Sequence, residues 1–175
     1  MTNETHYAEP ALFGTVRAAL RFAYSITEQS IVVTANYLPP SGKPGRFTGL
    51  SVHDQHAQGA LIRRMVETRL EGIELAMTFA DHGNGAVHHR AVRDVARHLR
   101  NIVRRTGLVG PLVERHFSKD GNRRTQRELA AEFNLSERTL IRLDKDVGDA
   151  IDGLRTATEK RLEALFVHSG ICDSL

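Results

Sequence analysis

The sequence predicts an all-α protein, a helical bundle, on three observations. Hydrophobic residues recur at spacings of three and four residues over most of the chain, as they do along one face of a helix. Several of these segments begin with residues that can cap a helix. Residues 30–38 (SIVVTANYL) are β-branched enough to form a strand, but no second strand is obvious, so a sheet is not expected. The length of 175 residues suits one domain of good size or two small ones.

Three helices are expected in the first half of the chain, and a loop at residues 39–45 (PPSGKPG) separates the first from the second. The first helix runs from about residue 9 to residue 24, with Pro10 in its first turn. The second begins at Ser51, which can form an acidic version of the capping box with Asp54. The residues expected on its inward side are Val52, Ala57, Leu61, Ile62 and Met65. The third helix covers residues 72–81, and the glycines at 83 and 85 end it.

A strongly amphipathic helix is predicted over residues 86–105, with its end at Gly107. The residues of its apolar side are Val92, Val95, Leu99, Ile102 and Val103. Another face carries five arginines, which we call the arginine stripe: Arg90, Arg93, Arg97, Arg100 and Arg104. At 100° per residue these five lie within about 80° of one another. Because like charges so placed repel, we expect the stripe to meet an anion or an acidic protein surface; salt bridges within the fold are the alternative.

Residues 125–143 (TQRELAAEFNLSERTLIRL) have the pattern of a helix-turn-helix, supported by a short helix that opens at Pro111. Thr125 and Glu128 can form a capping box, and Ser136 can cap the second helix. Asn134 occupies the turn, where asparagine enters the left-handed region at low cost. The apolar residues that would seat the two helices are Leu129, Ala130, Phe133, Leu135, Leu140 and Leu143. An ordinary helical hairpin has the same spacing, but the basic residues before the motif favour the helix-turn-helix.

The second helix of this motif is expected to enter the major groove of duplex DNA, where arginine suits guanine edges and phosphates. The expected DNA-binding residues are Arg123, Arg124, Gln126, Arg127, Ser136, Glu137, Arg138, Thr139, Ile141, Arg142 and Lys145. Beyond Leu143 the apolar spacing persists to Phe166. The last helix therefore either continues from the second helix or restarts near Gly148 or Gly153.

The net charge of +3 conceals an uneven distribution along the chain. Residues 1–84 hold 7 basic and 8 acidic side chains (−1), residues 85–127 hold 11 and 3 (+8), and residues 128–175 hold 6 and 10 (−4). A basic block of this kind is typical of polyanion binding, with a solvated helix face as the alternative.

Other classes of protein are disfavoured. No apolar run approaches the length of a membrane span, and the N-terminus lacks the features of a signal peptide, so a cytoplasmic protein is expected. The single cysteine, Cys172, cannot form an internal disulfide. The histidine groups at 53 and 56, and at 88 and 89 near Asp81 and His82, do not show the convergence that a zinc site needs. Neither an enzyme nor a bound cofactor is expected.

The segment from about Leu112 to Leu165 resembles region 4 of bacterial sigma factors, in which a helix like PLVERHF precedes a pair like TQRELAAEFNLSERTLIRL. The whole chain is similar, more loosely, to phage late-gene antitermination proteins of the Q type. One branch of that family carries a cysteine-built zinc insert, which this chain with its one cysteine cannot form. The resemblance implies binding to a DNA element near a late promoter and loading onto RNA polymerase, which then passes through terminators.

We therefore expect a sequence-specific DNA-binding transcription regulator with two regions. Residues 1–107 form an N-terminal helical region that contains the basic helix, and residues 108–175 form the helix-turn-helix region and the C-terminal helix. Double-stranded DNA and, by resemblance, RNA polymerase are the expected partners, and the sequence also allows a homo-oligomer. The first alternative is an oligomeric DNA-packaging protein similar to a small terminase subunit. The second is a histidine-based metal-dependent enzyme.

Overall fold

A computed structural model describes residues 12–26, 51–102, 106–118 and 123–172 of the chain, and these are mostly helical. The helices are α1 Val16–Ser25, α2 Val52–Arg69, α3 Gly72–His82, α4 Gly85–His98, α5 Thr106–Phe117, α6 Gln126–Glu132 and α7 Glu137–His168. Within the described ranges there is no strand, so the all-α prediction is confirmed there. The stretch at 30–38 and the loop at 39–45 lie outside them.

The described residues divide into two compact units. The first contains the residues up to Met65 and from Arg161 onward, and the second is Val66–Lys160, so the division falls within α2 and α7. The boundary predicted at residues 107 and 108 lies inside the second unit. The core of that unit takes Leu99 from before this boundary and Leu108 from after it.

In the first unit, α1 begins later than the sequence predicted. Residues 12–15 are not helical, because the Phe13 N–H donates to the Ile171 carbonyl at 2.9 Å instead of entering a helix. Thr15 then caps α1 by accepting from the Ala18 N–H at 3.2 Å. Pro10, which was expected in the first turn, lies outside the described residues.

The start of α2 was predicted correctly. The Ser51 N–H donates to Asp54 Oδ2 at 3.2 Å, and the Asp54 N–H donates to Ser51 Oγ at the same distance. The side-chain hydrogen bond from Ser51 also lowers the pKa of the exposed Asp54 carboxyl. Both halves of the acidic capping box are therefore present.

The inward side of α2 was predicted correctly at Ile62, in part at Met65, and wrongly at Val52, Ala57 and Leu61. Val52 and Leu61 are 44% and 50% exposed, whereas the buried residues of α2 are Gly59, Ile62 and Val66. Of the other two residues predicted to point inward, Ala57 is exposed and Met65 is half-buried. At Gly59, a Cβ atom would lie 3.6 Å from the Ala23 Cα, so α1 and α2 approach closely there. Gly59 therefore lies on the contact face, which a count of large apolar residues misses.

Helix α3 matches its prediction and ends at Gly83, whose N–H donates to the Phe79 carbonyl at 2.9 Å. Near its end, Asp81 accepts two hydrogen bonds from Arg155 of α7, at 2.8 Å from Nε and 2.7 Å from Nη2. This two-point contact raises the pKa of Arg155 further above its ordinary value. It fixes α3 to α7 within the second unit.

The basic helix is shorter than predicted. Helix α4 ends at His98 and is followed by one 3-10 turn, Leu99–Asn101. Val92, Val95 and Leu99 are buried as expected, but Ile102 is 41% exposed, because the helical periodicity that placed it inward has ended. Val103 lies outside the described residues.

Helix α5 begins at Thr106, so Gly107 and Pro111 lie inside it rather than at a helix end and a helix start. A Cβ atom at Gly107 would lie 3.7 Å from the Phe133 ring. Helix α5 is therefore in ordinary contact with the end of α6 at this point, and Gly107 does not end a helix as predicted.

Helix α7 is one continuous helix of 32 residues that passes through both Gly148 and Gly153. A Cβ atom at Gly148 would lie 3.0 Å from Cε1 of the His116 ring, so α5 approaches α7 closely at this point. That contact explains the presence of a glycine at position 148, although glycine costs about 1 kcal/mol relative to alanine inside a helix. Among the described residues, no helix is both long and apolar enough to cross a membrane.

Candidate nucleic-acid interface

Helix α6 begins with the capping box that the sequence predicted. The Glu128 N–H donates to Thr125 Oγ1 at 3.2 Å, and the Thr125 N–H donates to Glu128 Oε2 at 2.7 Å. These bonds satisfy donors that the first turn of a helix leaves without a partner. The hydrogen bond from the Thr125 backbone lowers the pKa of the Glu128 carboxyl.

The turn between α6 and α7 is closed by Asn134, whose φ of +50° confirms the expected left-handed conformation. The Leu135 N–H donates to the Ala130 carbonyl at 2.9 Å, and the Asn134 N–H donates to the Ala131 carbonyl at 3.3 Å. This pair of bonds is a Schellman motif, which normally has glycine at the left-handed position. The direction in which α7 leaves the turn is therefore fixed by backbone hydrogen bonds.

Helix α7 begins at the predicted cap. Ser136 Oγ accepts from the Thr139 N–H at 3.2 Å and lies 2.8 Å from the Thr139 hydroxyl oxygen. The apolar residues that join α6 to α7 divide into two groups by exposure. Leu129, Ala130 and Leu140 are buried, and the half-buried members that pack against the same core are Phe133, Leu135 and Leu143.

The outward face of α7 has the composition that the sequence predicted. We call the five exposed residues between Glu137 and Lys145 the α7 face: Glu137, Arg138, Ile141, Arg142 and Lys145. Ser136 is also exposed, whereas Thr139 is half-buried. The α7 face carries three cationic side chains and one carboxylate, so it is positively charged.

The basic residues before and within α6 are exposed and take part in ion pairs. Arg124 pairs with Glu132, and Nε of Arg127 lies 3.9 Å from Oε1 of Glu137. Exposed pairs of this kind contribute about 0 to 1 kcal/mol and are screened by salt. A phosphate group can therefore displace either pair at low cost, and Arg123 lies exposed beside them.

A buried polar cluster behind α6 and α7 was not expected from the sequence. Asp144 is 7% exposed and accepts from Gln126 Nε2 at 2.7 Å. Arg115 Nη1 lies 3.5 Å from Asp144 Oδ2, and His116 Nε2 lies 3.1 Å from Oδ1 and 3.2 Å from the Asp144 carbonyl. We call these four residues the Asp144 cluster. It connects α5, α6 and α7.

One signal for the Asp144 cluster was present in the sequence. Asp144 follows Leu140 by four residues and precedes Val147 by three, so it shares the inward face of α7 with two core residues. Gln126 was predicted to contact DNA, but its amide binds Asp144 and so has a structural role. Its contact with DNA stays a prediction.

The described members of the arginine stripe are exposed: Arg90, Arg93, Arg97 and Arg100. Arg97 Nη1 lies 2.7 Å from Asp94 Oδ1 in a pair whose arginine side chain is 67% exposed. Because α4 ends at His98, Arg100 lies in the 3-10 turn and no longer follows the spacing of 100° per residue. Arg104 lies outside the described residues.

The histidines at 53, 56, 82, 88 and 89 were considered as metal ligands from the sequence. The structure describes no group of three or more His, Cys, Asp or Glu side chains placed to hold a metal ion. His88, His89 and Arg93 line a cavity of about 560 Å³ at the start of α4. Asp81, which precedes His82 in the chain, is bound by Arg155.

The capping box of α6 should make the stability of the second unit depend on pH. Since the folded-state pKa of Glu128 lies below its ordinary value of 4.5, its contribution is present above that pH and is lost as the pH falls through the lowered pKa. We expect Glu128→Gln to lower the melting temperature at pH 7 and to leave it equal to that of the wild type in acid. Thermal melts from pH 7 to pH 2 measure this difference.

The control for this series is Thr125→Ser, which keeps both hydroxyl and carboxylate and should follow the wild-type curve. A Glu128→Gln protein with the wild-type melting temperature at every pH would show that the charged form of Glu128 contributes nothing.

The chain was also compared with known proteins. Neither the protein-family models nor the curated protein sequences give a match to it.

Proposed function

We propose that this chain is a sequence-specific DNA-binding protein that regulates transcription, with α6, the turn at Asn134 and the start of α7 as its helix-turn-helix. One observation carries the proposal. The first turns of α7 bury Leu140 against α6 while they expose Arg138 and Arg142, and both helix starts are capped. A helix that reads DNA needs this combination of a rigid seat and a polar, cationic outer face.

The proposed mechanism assigns different tasks to different basic residues. Arg138, Arg142 and Lys145 enter the major groove, where an arginine can donate two hydrogen bonds to O6 and N7 of a guanine. Arg123 and Arg127, near the start of α6, contact phosphates on the adjacent strand. Such phosphate contacts set the position of the protein but carry no sequence information.

The arginine stripe supplies a second phosphate-binding surface in this proposal. It belongs to the segment 85–127, which carries a net charge of +8, whereas residues 128–175 carry −4. The acidic charge of the C-terminal segment would repel DNA if it acted alone. The basic segment is therefore needed for long-range attraction, and this attraction should weaken steeply as salt increases.

The regulatory step extends the proposal by resemblance. The similarity of the segment from Leu112 to Leu165 to sigma region 4, and of the whole chain to Q-type antitermination proteins, suggests that the bound protein loads onto RNA polymerase and lets it pass terminators. We propose antitermination as the activity that follows DNA binding.

The test is a binding titration at several salt concentrations with a random-sequence duplex library and with the duplexes that the wild-type protein enriches. Three proteins are compared: the wild type, Arg138→Ala/Arg142→Ala, and Arg93→Ala/Arg97→Ala/Arg100→Ala. We expect the first variant to lose its preference for enriched duplexes, by about tenfold or more for each base that the arginines no longer bind. We expect the second to weaken binding to all duplexes equally and to reduce the salt slope by about 0.9 for each phosphate that is no longer neutralised.

Two results would contradict the proposal. If the wild type binds no duplex at low salt, α6 and α7 form a structural hairpin only. If it binds but Arg138→Ala/Arg142→Ala keeps the full preference for enriched duplexes, the α7 face does not read the sequence.

A further inference from the structure

Ile141 is the one apolar residue of the α7 face, whose other four residues are charged. Ile141 is 51% exposed, although it lies one residue after the fully buried Leu140. At 100° per residue, Ile141 lies about 60° from Arg138 and about 40° from Lys145 around the helix axis. It therefore stands between the buried side of α7 and its cationic side.

Exposed aliphatic residues are common on protein surfaces, so exposure alone would decide nothing. The surroundings of Ile141 are what distinguish it. Arg138, Arg142 and Lys145 are all within four residues of it on the same exposed face, and the one carboxylate of that face, Glu137, lies 3.9 Å from Nε of Arg127. An apolar protein surface pressed on Ile141 would have to desolvate these cations, whereas a polyanion would pair with them.

A polyanion can bury Ile141 only where it offers an apolar group beside its phosphates. In the major groove of duplex DNA the base edges present hydrogen-bond donors and acceptors, and the one apolar group among them is the C5 methyl of thymine. Isoleucine suits this contact because its β-branched side chain has one strongly preferred rotamer in a helix. Its methyl groups are therefore held in a fixed direction before DNA binds.

We infer that Ile141 recognises the C5 methyl group of a thymine in the major groove and thereby helps to determine the preferred sequence. This inference rests on the proposed function, since it requires that α7 enters the groove. It assigns the apolar part of base recognition to one side chain and leaves guanine recognition to the arginines.

The test replaces each thymine of an enriched duplex, one at a time, by uracil, which keeps the base pair and removes only the methyl group. Wild-type protein should lose about fourfold in affinity at one position, as expected for one buried methyl group. Ile141→Ala should bind the unmodified duplex more weakly and should show no further loss with uracil at that position. Because Ile141 is exposed, the melting temperature of this variant should stay near that of the wild type.

The matched control is Val87→Ala on α4, which truncates an aliphatic side chain that is 52% exposed and lies outside the α7 face. This variant should keep the wild-type response to uracil. The inference is overturned if no thymine position responds to uracil in the wild type, if the enriched duplexes contain no thymine, or if Ile141→Ala responds as the wild type does. In each of these cases the sequence preference itself survives, whereas failure of the proposed function removes the preference altogether.

Discussion

Asp144→Ala should destabilise the protein by about 3–5 kcal/mol, the usual cost of removing one partner from a buried ion pair. Asp144 is 7% exposed, and the side chain of Arg115 opposite it is 14% exposed. In the described residues, Arg115 Nε and Nη1 are buried without a hydrogen-bond acceptor, so Asp144 supplies the neutralising charge. Its removal would also free the amide of Gln126.

Urea unfolding of the wild type, Asp144→Ala and Asp146→Ala measures this effect. Asp146 is an exposed carboxylate on the same helix, and its removal should change the free energy of unfolding by no more than about 0.5 kcal/mol. If Asp144→Ala costs no more than Asp146→Ala, the Asp144 cluster does not hold α5, α6 and α7 together.

Leu140→Ala should cost about 2–5 kcal/mol, the range observed when a buried leucine is truncated. Leu140 is fully buried and packs in the core cluster that includes Leu129 of α6 and Val113 of α5. The cavity left behind would loosen the packing that seats α7 on α6. We therefore expect a weaker preference among DNA duplexes as well as a lower melting temperature.

The control for Leu140→Ala is Ile141→Ala, the adjacent residue with the opposite exposure. It should leave the free energy of unfolding within about 0.5 kcal/mol of the wild type, since its side chain is half in solvent. Equal destabilisation in the two variants would contradict the assignment of Leu140 to the core and Ile141 to the surface.

The parts of the fold that the sequence predicted best are those with local causes. The capping boxes at Ser51 and Thr125, the cap at Ser136 and the left-handed turn at Asn134 depend on residues within a few positions of one another. Their hydrogen bonds form between neighbours in the chain, so no knowledge of tertiary packing is needed to expect them. The exposed side of α7 follows in the same way from the position of Leu140.

The parts that the sequence missed depend on contacts between distant residues. Gly107 and Gly148 look like helix breakers, but both lie inside helices, and at Gly148 a Cβ atom would lie only 3.0 Å from the His116 ring. The inward face of α2 includes Gly59, which faces Ala23 of α1. The role of Asp144 depends on Arg115, which lies 29 residues away in the sequence. Spacing along one helix cannot reveal such a partner.

The central claim is that the α7 face reads DNA sequence, and enrichment of duplexes from a random library tests it most directly. We predict that the wild-type protein enriches related duplexes and that Arg138→Ala/Arg142→Ala, which remains folded because both side chains are exposed, no longer selects the guanines that these arginines bind. If both proteins enrich the same duplexes, or if neither enriches any, the α7 face does not read DNA sequence.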